Sequence, residues 1–332
     1  MSRPVEAPIF LVGMPRSGTT VLFEVFAARG DVAWFSGHMQ RAPGRPALAA
    51  LSRAADLTPR MRRSVSRSDQ VRPWLERLRV GPVEAYGFWE RHCGEKFRYD
   101  YLTGVEASTD ERRSVQAAVS HVLKFHGKAR FAAKITGPAR IGYLSSIFPD
   151  ARFVHVVRDG RAVVNSLMRV PFWQERNRMH EPAWRNGLSE ADLADWERYE
   201  RSPLALAAVQ WRCVVESARE EAARLASDRY GEVHYERFVA EPREVLDAVA
   251  AYCGLPHSTK AEEFLEARFV LKDMNFQWQQ RFDEAEVSML EDLIGDTLAA
   301  SGYEAGRSRP PTVGAAVTTP FAAPEGAARR TE

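Results

Sequence analysis

A three-layer α/β fold, with a central parallel sheet between two layers of helices, is what the 332-residue sequence predicts. Three observations predict it. Short apolar runs alternate with segments of helical length along most of the chain. The first run, "PIFLVG" (8–13), passes through a tight loop into an apolar-rich helical pattern. The strongest run, "ARFVHVVRD" (151–159), passes directly into another. With 45% hydrophobic and 27% charged residues, the chain has the composition of an ordinary globular protein with a large core.

The elements follow in order. Residues 8–13 read as a buried strand, Thr19 to Arg29 as a helix, and "DVAWFS" (31–36) as a second strand. From 38 to about 105 the pattern dissolves into Arg-, Pro- and Gly-containing pieces, read as insertion helices and loops. "DERRSVQAAVSHVLKFHGK" (110–128) is an amphipathic helix with Asp110 near its start. "RFAAKI" is a strand, "GPARIGYLSSIF" a helix with Pro138 near its start, and 160–169 a helix after the strand 151–159. A Trp-, Arg- and Pro-rich segment runs to about 187, and a helical stretch from about 189 to 226 breaks near Pro203. "GEVHYERF" reads as a strand, "EPREVLDAVAAYCGLP" as a helix closed by Gly254 and Pro256, and "DEAEVSMLEDLIGDTLAASGY" as the last helix. The tail 305–332, rich in Ala, Pro, Gly and Thr with no periodic apolar face, is expected to be disordered.

Composition narrows the function classes. A net charge of +2 argues against bulk nucleic-acid binding. Six of the 46 basic residues are lysine (Lys96, Lys124, Lys128, Lys134, Lys260, Lys272), leaving 40 arginines. Such a balance fits GC-rich coding, and equally a preference for planar groups that grip phosphate or sulfate in pairs of bonds. Cys93, Cys213 and Cys253 are far apart and form neither a disulfide framework nor a CxxC metal pair. The beginning "MSRPVEAPIF" lacks an apolar signal core, and no 18 apolar residues run together. A cytoplasmic protein without a membrane span is the expectation.

In a parallel sheet ligands sit at the carboxyl ends of the strands. Both polar stretches that most resemble a site, 14–20 and 158–166, lie there. The first completes a strand–loop–helix unit, in which first-turn N–H groups and the helix dipole cradle an anion. Gly13 and Gly18 are five apart, as in a phosphate-binding P-loop, so the fold expected is P-loop-like. Yet Thr19 replaces the loop lysine, and Arg16 supplies positive charge instead. Asp159 follows a strand, but Arg158 beside it suits an anion better than magnesium. A phosphate-like anion held without a metal is what the residues favour. A nucleotide-binding protein or atypical P-loop kinase is the alternative. In the second stretch Arg158 stands at a strand end and Ser166 two turns into the next helix, so both can converge on one anion.

These motifs resemble the sulfotransferases that use 3′-phosphoadenosine 5′-phosphosulfate (PAPS). Pro15-Arg16-Ser17-Gly18-Thr19-Thr20 matches the family's "PRSGTT" loop, which binds the 5′-phosphosulfate, and Arg158 with Ser166 matches its pair for the 3′-phosphate. "KITGPARIGYLSSIFPDARFVHVVRDGRAVVNSLM" is similar throughout to the tyrosylprotein and carbohydrate branches. "VHYERFVAEPREVLDAVAAYCGLP" resembles the segment in which a tyrosine, here Tyr235, approaches the adenosine. The resemblance covers roughly 8–36, 130–170 and 229–300. It implies one sulfotransferase domain over 1–304, with the insertions 38–105 and 171–205 on the acceptor side. It also implies PAPS as donor, its bisphosphate product PAP, no metal, and as acceptor a hydroxyl, or alternatively an amine, of a carbohydrate, small molecule or peptide.

Sulfuryl transfer is an in-line displacement in which negative charge grows on the departing phosphate oxygen. Loop N–H groups, Arg16, Thr19 and Thr20 are donors for that charge. Lys134 aligns with a lysine of the tyrosylprotein branch that faces the transferred group; it reads equally as a solvated strand end. The acceptor hydroxyl needs a general base. Where the cytosolic branch keeps a histidine, this chain has Thr136, and where the tyrosylprotein branch has a Glu after the second strand it reads Phe35-Ser36-Gly37-His38. His38, titratable near neutrality, is therefore the candidate base, with Glu106, His92, His121 and His126 as the others. His155, inside an apolar strand, is expected to be a satisfied core residue. Ten arginines between 41 and 79 form either a solvated basic face or a rim for an anionic acceptor. Trp74, Tyr86, Phe88, Trp89, Phe172 and Trp173 are candidate walls of that acceptor site.

Overall fold

The computed structural model describes residues 4–57, 80–174, 179–304 and 317–318. Trp74 and the arginines of 58–79 lie outside them. Five parallel strands, β1 (Ile9–Gly13), β2 (Val32–Ala33), β3 (Arg130–Thr136), β4 (Arg152–Val157) and β5 (Tyr230–His234), form one sheet in the order β2-β3-β1-β4-β5. The three-layer α/β expectation holds. β1 lies at the centre, so its C-terminal loop opens between β3 and β4.

The pleat of β1 explains the two helical layers. Phe10 and Val12 pack on one face with Phe131, Ile135 and Phe153, under the helices Tyr86–Cys93, Thr109–His126 and Ile141–Ile147. Ile9 and Leu11 pack on the other with Val154, Val156 and Val233, under Thr19–Ala27, Pro242–Tyr252 and Thr259–Arg268. All five β1 residues are buried, as strands covered on both faces must be. Each large apolar side chain buried in this way contributes about 1.5–3 kcal/mol. A third cluster around Trp211 joins the helices Gly160–Leu167, Pro203–Ala222 and Glu284–Ala300 beyond the end of β4.

Several boundaries differ from the sequence expectation. β5 stops at His234, and Tyr235 opens a helix (Tyr235–Ala240) instead of continuing the strand to Phe238. The helix expected from Pro138 starts at Ile141, because Arg140 adopts the left-handed conformation (φ 53°) and points three hydrogen bonds at the carbonyls of Arg98, Asp100 and Pro138. The stretch 189–226 is two helices, Glu190–Arg198 and Pro203–Ala222, each capped by a serine, and it breaks at Pro203 as read. Within the tail expected to be disordered, Thr318 pairs with Glu232 on the edge strand β5 through two backbone bonds (2.7 and 3.0 Å). Among the described residues no helix is long and apolar enough to cross a membrane.

Candidate active site

β1 delivers the chain into a loop, Met14 to Gly18, that closes by a Ser17 N–H bond to the Met14 carbonyl (3.1 Å). Gly18 caps the helix Thr19–Ala27 with φ 89° and no side-chain cap. Of the first-turn N–H groups, that of Val21 folds onto the Gly18 carbonyl (3.1 Å), while those of Thr19 and Thr20 precede any i−4 acceptor within the helix. Arg16 also lies in the left-handed region (φ 75°), a strained setting for a side chain and a common mark of a binding loop.

The two sequence motifs meet here. Arg16 Nε donates to Ser166 Oγ (2.9 Å), and Arg158 Nη1 donates to the Arg16 carbonyl (2.8 Å). Arg158 reaches this point from the end of β4, Ser166 from the helix Gly160–Leu167 and Arg16 from the loop. Desolvation and then the Arg158 charge hold the Arg16 guanidinium below its ordinary value. Two like charges held together repel, and an anion placed between them relieves the repulsion. The Arg158 guanidinium lies 4.3 Å from the centre of the Tyr235 ring. That ring packs against Gly18 so closely that a Cβ there would come within 2.3 Å of Tyr235 Cδ2. Loop, Arg158, Ser166 and Tyr235 are therefore one constellation.

Beside it opens a cleft of about 350 Å³ lined by Pro15, Arg16, Thr19, Thr20 and Thr136, with Glu84, Tyr86, Arg98, Phe172 and Trp184. Lys134 Nζ donates to Thr20 Oγ1 (2.8 Å) and pairs with Glu84 Oε1 (3.0 Å). It is buried between them, which removes the solvated-strand-end reading. Thr136 Oγ1 donates to the same Glu84 oxygen (2.9 Å), and among the described residues no hydrogen bond ends on Oε2. Tyr86 donates its hydroxyl to the Thr136 carbonyl (2.7 Å). Burial, and then the Glu84 charge, push that phenol far above its ordinary range, so it stays protonated.

The candidate bases are scattered. His38 sits half-buried on the short helix Gly37–Arg41 and is not among the cleft's lining residues. His92 meets Ser114 (2.7 Å), His121 is exposed, His126 is buried under Trp34, and Glu106 is an exposed partner of Arg112 (2.7 Å). None of them lines the cleft. His155 is a core residue as expected, its Nδ1 2.6 Å from Tyr230 Oη. Of the aromatic candidates, Phe88, Trp89 and Trp173 are buried in core clusters, while Tyr86 and Phe172 reach the cleft. Glu84 was not singled out from sequence. A bridge between Ser36 and Pro82 and the Val83 N–H bond to the Phe35 carbonyl (2.9 Å) bring the chain back to the end of β2, so Glu84 stands spatially just past the second strand. The intervening 38–81 conceals that neighbourhood from any reading by spacing.

A P-loop-like α/β sheet with a cradle built of two arginines, a helix N-terminus and a tyrosine defines a class of proteins that hold phosphate-like anions at the strand ends. The comparison with known families narrows the class. Residues 8–259 match the sulfotransferase family, and the chain belongs to it. It is 24% identical over 256 residues to protein-tyrosine sulfotransferase 1 of Danio rerio, covering 75% of this chain and 53% of that protein. Against protein-tyrosine sulfotransferase 1 of Homo sapiens it is 27% identical over 168 residues, covering 48% and 33%. The chain thus spans about a third to a half of the length of these relatives. In fold it resembles the crystal structure of sulfotransferase STF9 from Mycobacterium avium, with a TM-score of 0.58 at 18% identity, covering 92% of this chain and 79% of that one.

Proposed function

We propose that this protein transfers the sulfuryl group of PAPS to a hydroxyl of a small-molecule, carbohydrate or peptide acceptor. The observation that carries the reading is the convergence of Arg16, Arg158 and Ser166 beside the Tyr235 ring, next to a cleft that holds a Lys134–Glu84 pair. Arg158 and Ser166 serve the 3′-phosphate, and the loop with Thr19 and Thr20 serves the 5′-phosphosulfate. The identity of the relatives as protein-tyrosine sulfotransferases supports a peptide among the acceptors.

Glu84 takes the role of general base in place of His38. Its carboxylate lines the cleft, and Lys134 and Thr136 orient it from one oxygen. In the reaction the acceptor O–H gives its proton to Glu84 as the new O–S bond forms. The S–O bond to the 5′-phosphate breaks, and PAP leaves with the electron pair. Arg16, Thr20 and the buried Lys134 act on the charge that grows on the leaving oxygen. Thr19 stands where a kinase P-loop has its lysine, so the cradle's charge comes from arginines.

A thermal-shift comparison tests the reading. PAP without added metal should raise the melting temperature, since both phosphate positions are served by protein donors. Stabilisation by ATP with magnesium and none by PAP would replace it with the kinase-like alternative.

A further inference from the structure

Arg158 is held from behind by groups that no motif announces. Its Nε donates to Asn275 Oδ1 (2.8 Å), and Asn275 Nδ2 donates in turn to Glu236 Oε1. Glu236 also accepts the Asp159 N–H on Oε1 (3.1 Å) and the Tyr303 hydroxyl on Oε2 (2.8 Å). Asn275, Glu236, Asp159 and Tyr303 are all buried, with Asn275 1% exposed. The chain of bonds joins the end of β4, the helix after β5, the turn 275–280 and the C-terminal end of the last helix.

We infer that Asn275 and Glu236 are positioning residues that aim the Arg158 guanidinium at the 3′-phosphate; this rests on the PAPS-type donor proposed above. An asparagine side chain has one acceptor and one donor end. Arg158 only donates, and Glu236 presents an oxygen that already accepts the Asp159 N–H. The amide is therefore fixed in one orientation, carbonyl toward Arg158. Nε is thereby occupied and Nη1 is tied to the Arg16 carbonyl, which leaves the guanidinium one rotation in its plane. The Tyr235 ring at 4.3 Å fixes that plane from the face. A long arginine otherwise loses side-chain freedom when it binds phosphate, and holding it beforehand removes that cost. The turn that presents Asn275 is itself anchored, with its amide N–H on Asp273 (3.0 Å) and Trp278 beneath the Arg161 guanidinium at 4.6 Å.

The test compares two nucleotides that differ only in the 3′-phosphate, PAP and adenosine 5′-phosphate, by titration calorimetry. The unchanged protein should prefer PAP; if it shows no preference, the donor assignment itself fails. Asn275→Ala should weaken PAP about tenfold, roughly one charge-assisted hydrogen bond, and leave adenosine 5′-phosphate within about twofold. Glu236→Gln is the conservative control. Its carbonyl still accepts from Asn275 and Asp159, and its amide donates to the Tyr303 oxygen, so the preference for PAP should persist. Asn275→Ala with equal losses for both nucleotides, or none, would mean that the network serves stability alone. Loss of the preference in Glu236→Gln would equally overturn the proposed amide orientation.

Discussion

At the scale of single residues, Glu84 as the proposed base can be set directly against His38. His38 was the reading from position, and it rested on closeness in the chain to the end of the second strand. Glu84 is close to that strand end in space, and it is the carboxylate that reaches the cleft. Its pairing with Lys134 at 3.0 Å keeps one oxygen oriented while the other faces no protein donor among the described residues. Glu84→Gln should therefore lower turnover about 10²–10⁴-fold with PAP affinity near that of the unchanged protein. His38→Ala should stay within about twofold in turnover. Steady-state turnover of the two variants, with PAP affinity measured beside it by titration calorimetry, checks both. The opposite pattern would return the role to the histidine.

At the scale of elements, what was legible depended on whether neighbours in space were neighbours in sequence. β1, its loop and the following helix are contiguous, and so are β4, Arg158 and Ser166; a strand run followed by a polar loop is enough to read both. Glu84, Asn275 and Glu236 were missed for the converse reason. Each reaches the site across a long chain separation, and neither an isolated Glu nor an isolated Asn carries a period or spacing. The end of β5 was misread because Val233-His234-Tyr235-Glu236 still alternates apolar and polar residues while the backbone has already turned into a helix at Tyr235. That turn matters, since it presses Tyr235 onto the loop. Gly18 has φ 89°, and a Cβ there would sit 2.3 Å from the ring. Gly18→Ala would carry both a left-handed backbone cost of roughly 1–2 kcal/mol and a steric collision. It should lower the melting temperature by a few degrees and weaken PAP at least about tenfold. Adding Tyr235→Ala removes the collision, so the double variant should regain part of the melting temperature and none of the PAP affinity. Full PAP affinity in Gly18→Ala would show that loop and tyrosine separate without loss.

At the scale of the molecule, the arginine surplus turns out to be partly architectural. Arg130 donates to the carbonyls of Ala7 and Cys253, Arg152 to those of Asp228 and Tyr252, and Arg229 to that of Ala151. These bonds tie strand starts to helix ends at the edge of the sheet opposite the cradle, where a planar fork of donors can reach two carbonyls at once. Anion binding and backbone stapling draw on the same side chain, which is why composition alone did not separate them.

Buried titratable groups set the pH response of the whole fold. Burial pushes the His155 imidazole down to about 4, despite the nearby Glu232 carboxylate. Between that value and 6.5 the unfolded chain takes up a proton that the folded protein refuses, so acidification costs stability there. Two carboxyls act in the opposite sense. Burial pushes both Glu221 and Glu236 up to about 7, outweighing the backbone N–H groups that each accepts. From 4.5 to about 7 the folded protein holds protons that the unfolded chain releases, so stability is present in acid and lost as pH rises through that window. Glu221 is the cleaner probe, because it takes no part in the Arg158 network. It is 4% exposed and accepts the Ile141 N–H at the start of its helix (2.9 Å). Glu221→Gln mimics the protonated carboxyl, so at pH 5 it should melt close to the unchanged protein. At pH 8 it should be the more stable of the two, by about 2–3 kcal/mol or several degrees, since it alone escapes the cost of a buried charge. Calorimetric melting of both proteins across pH 5 to 8 checks the sign. A difference between them that stays constant over the series would mean that Glu221 is ionised in the folded protein throughout.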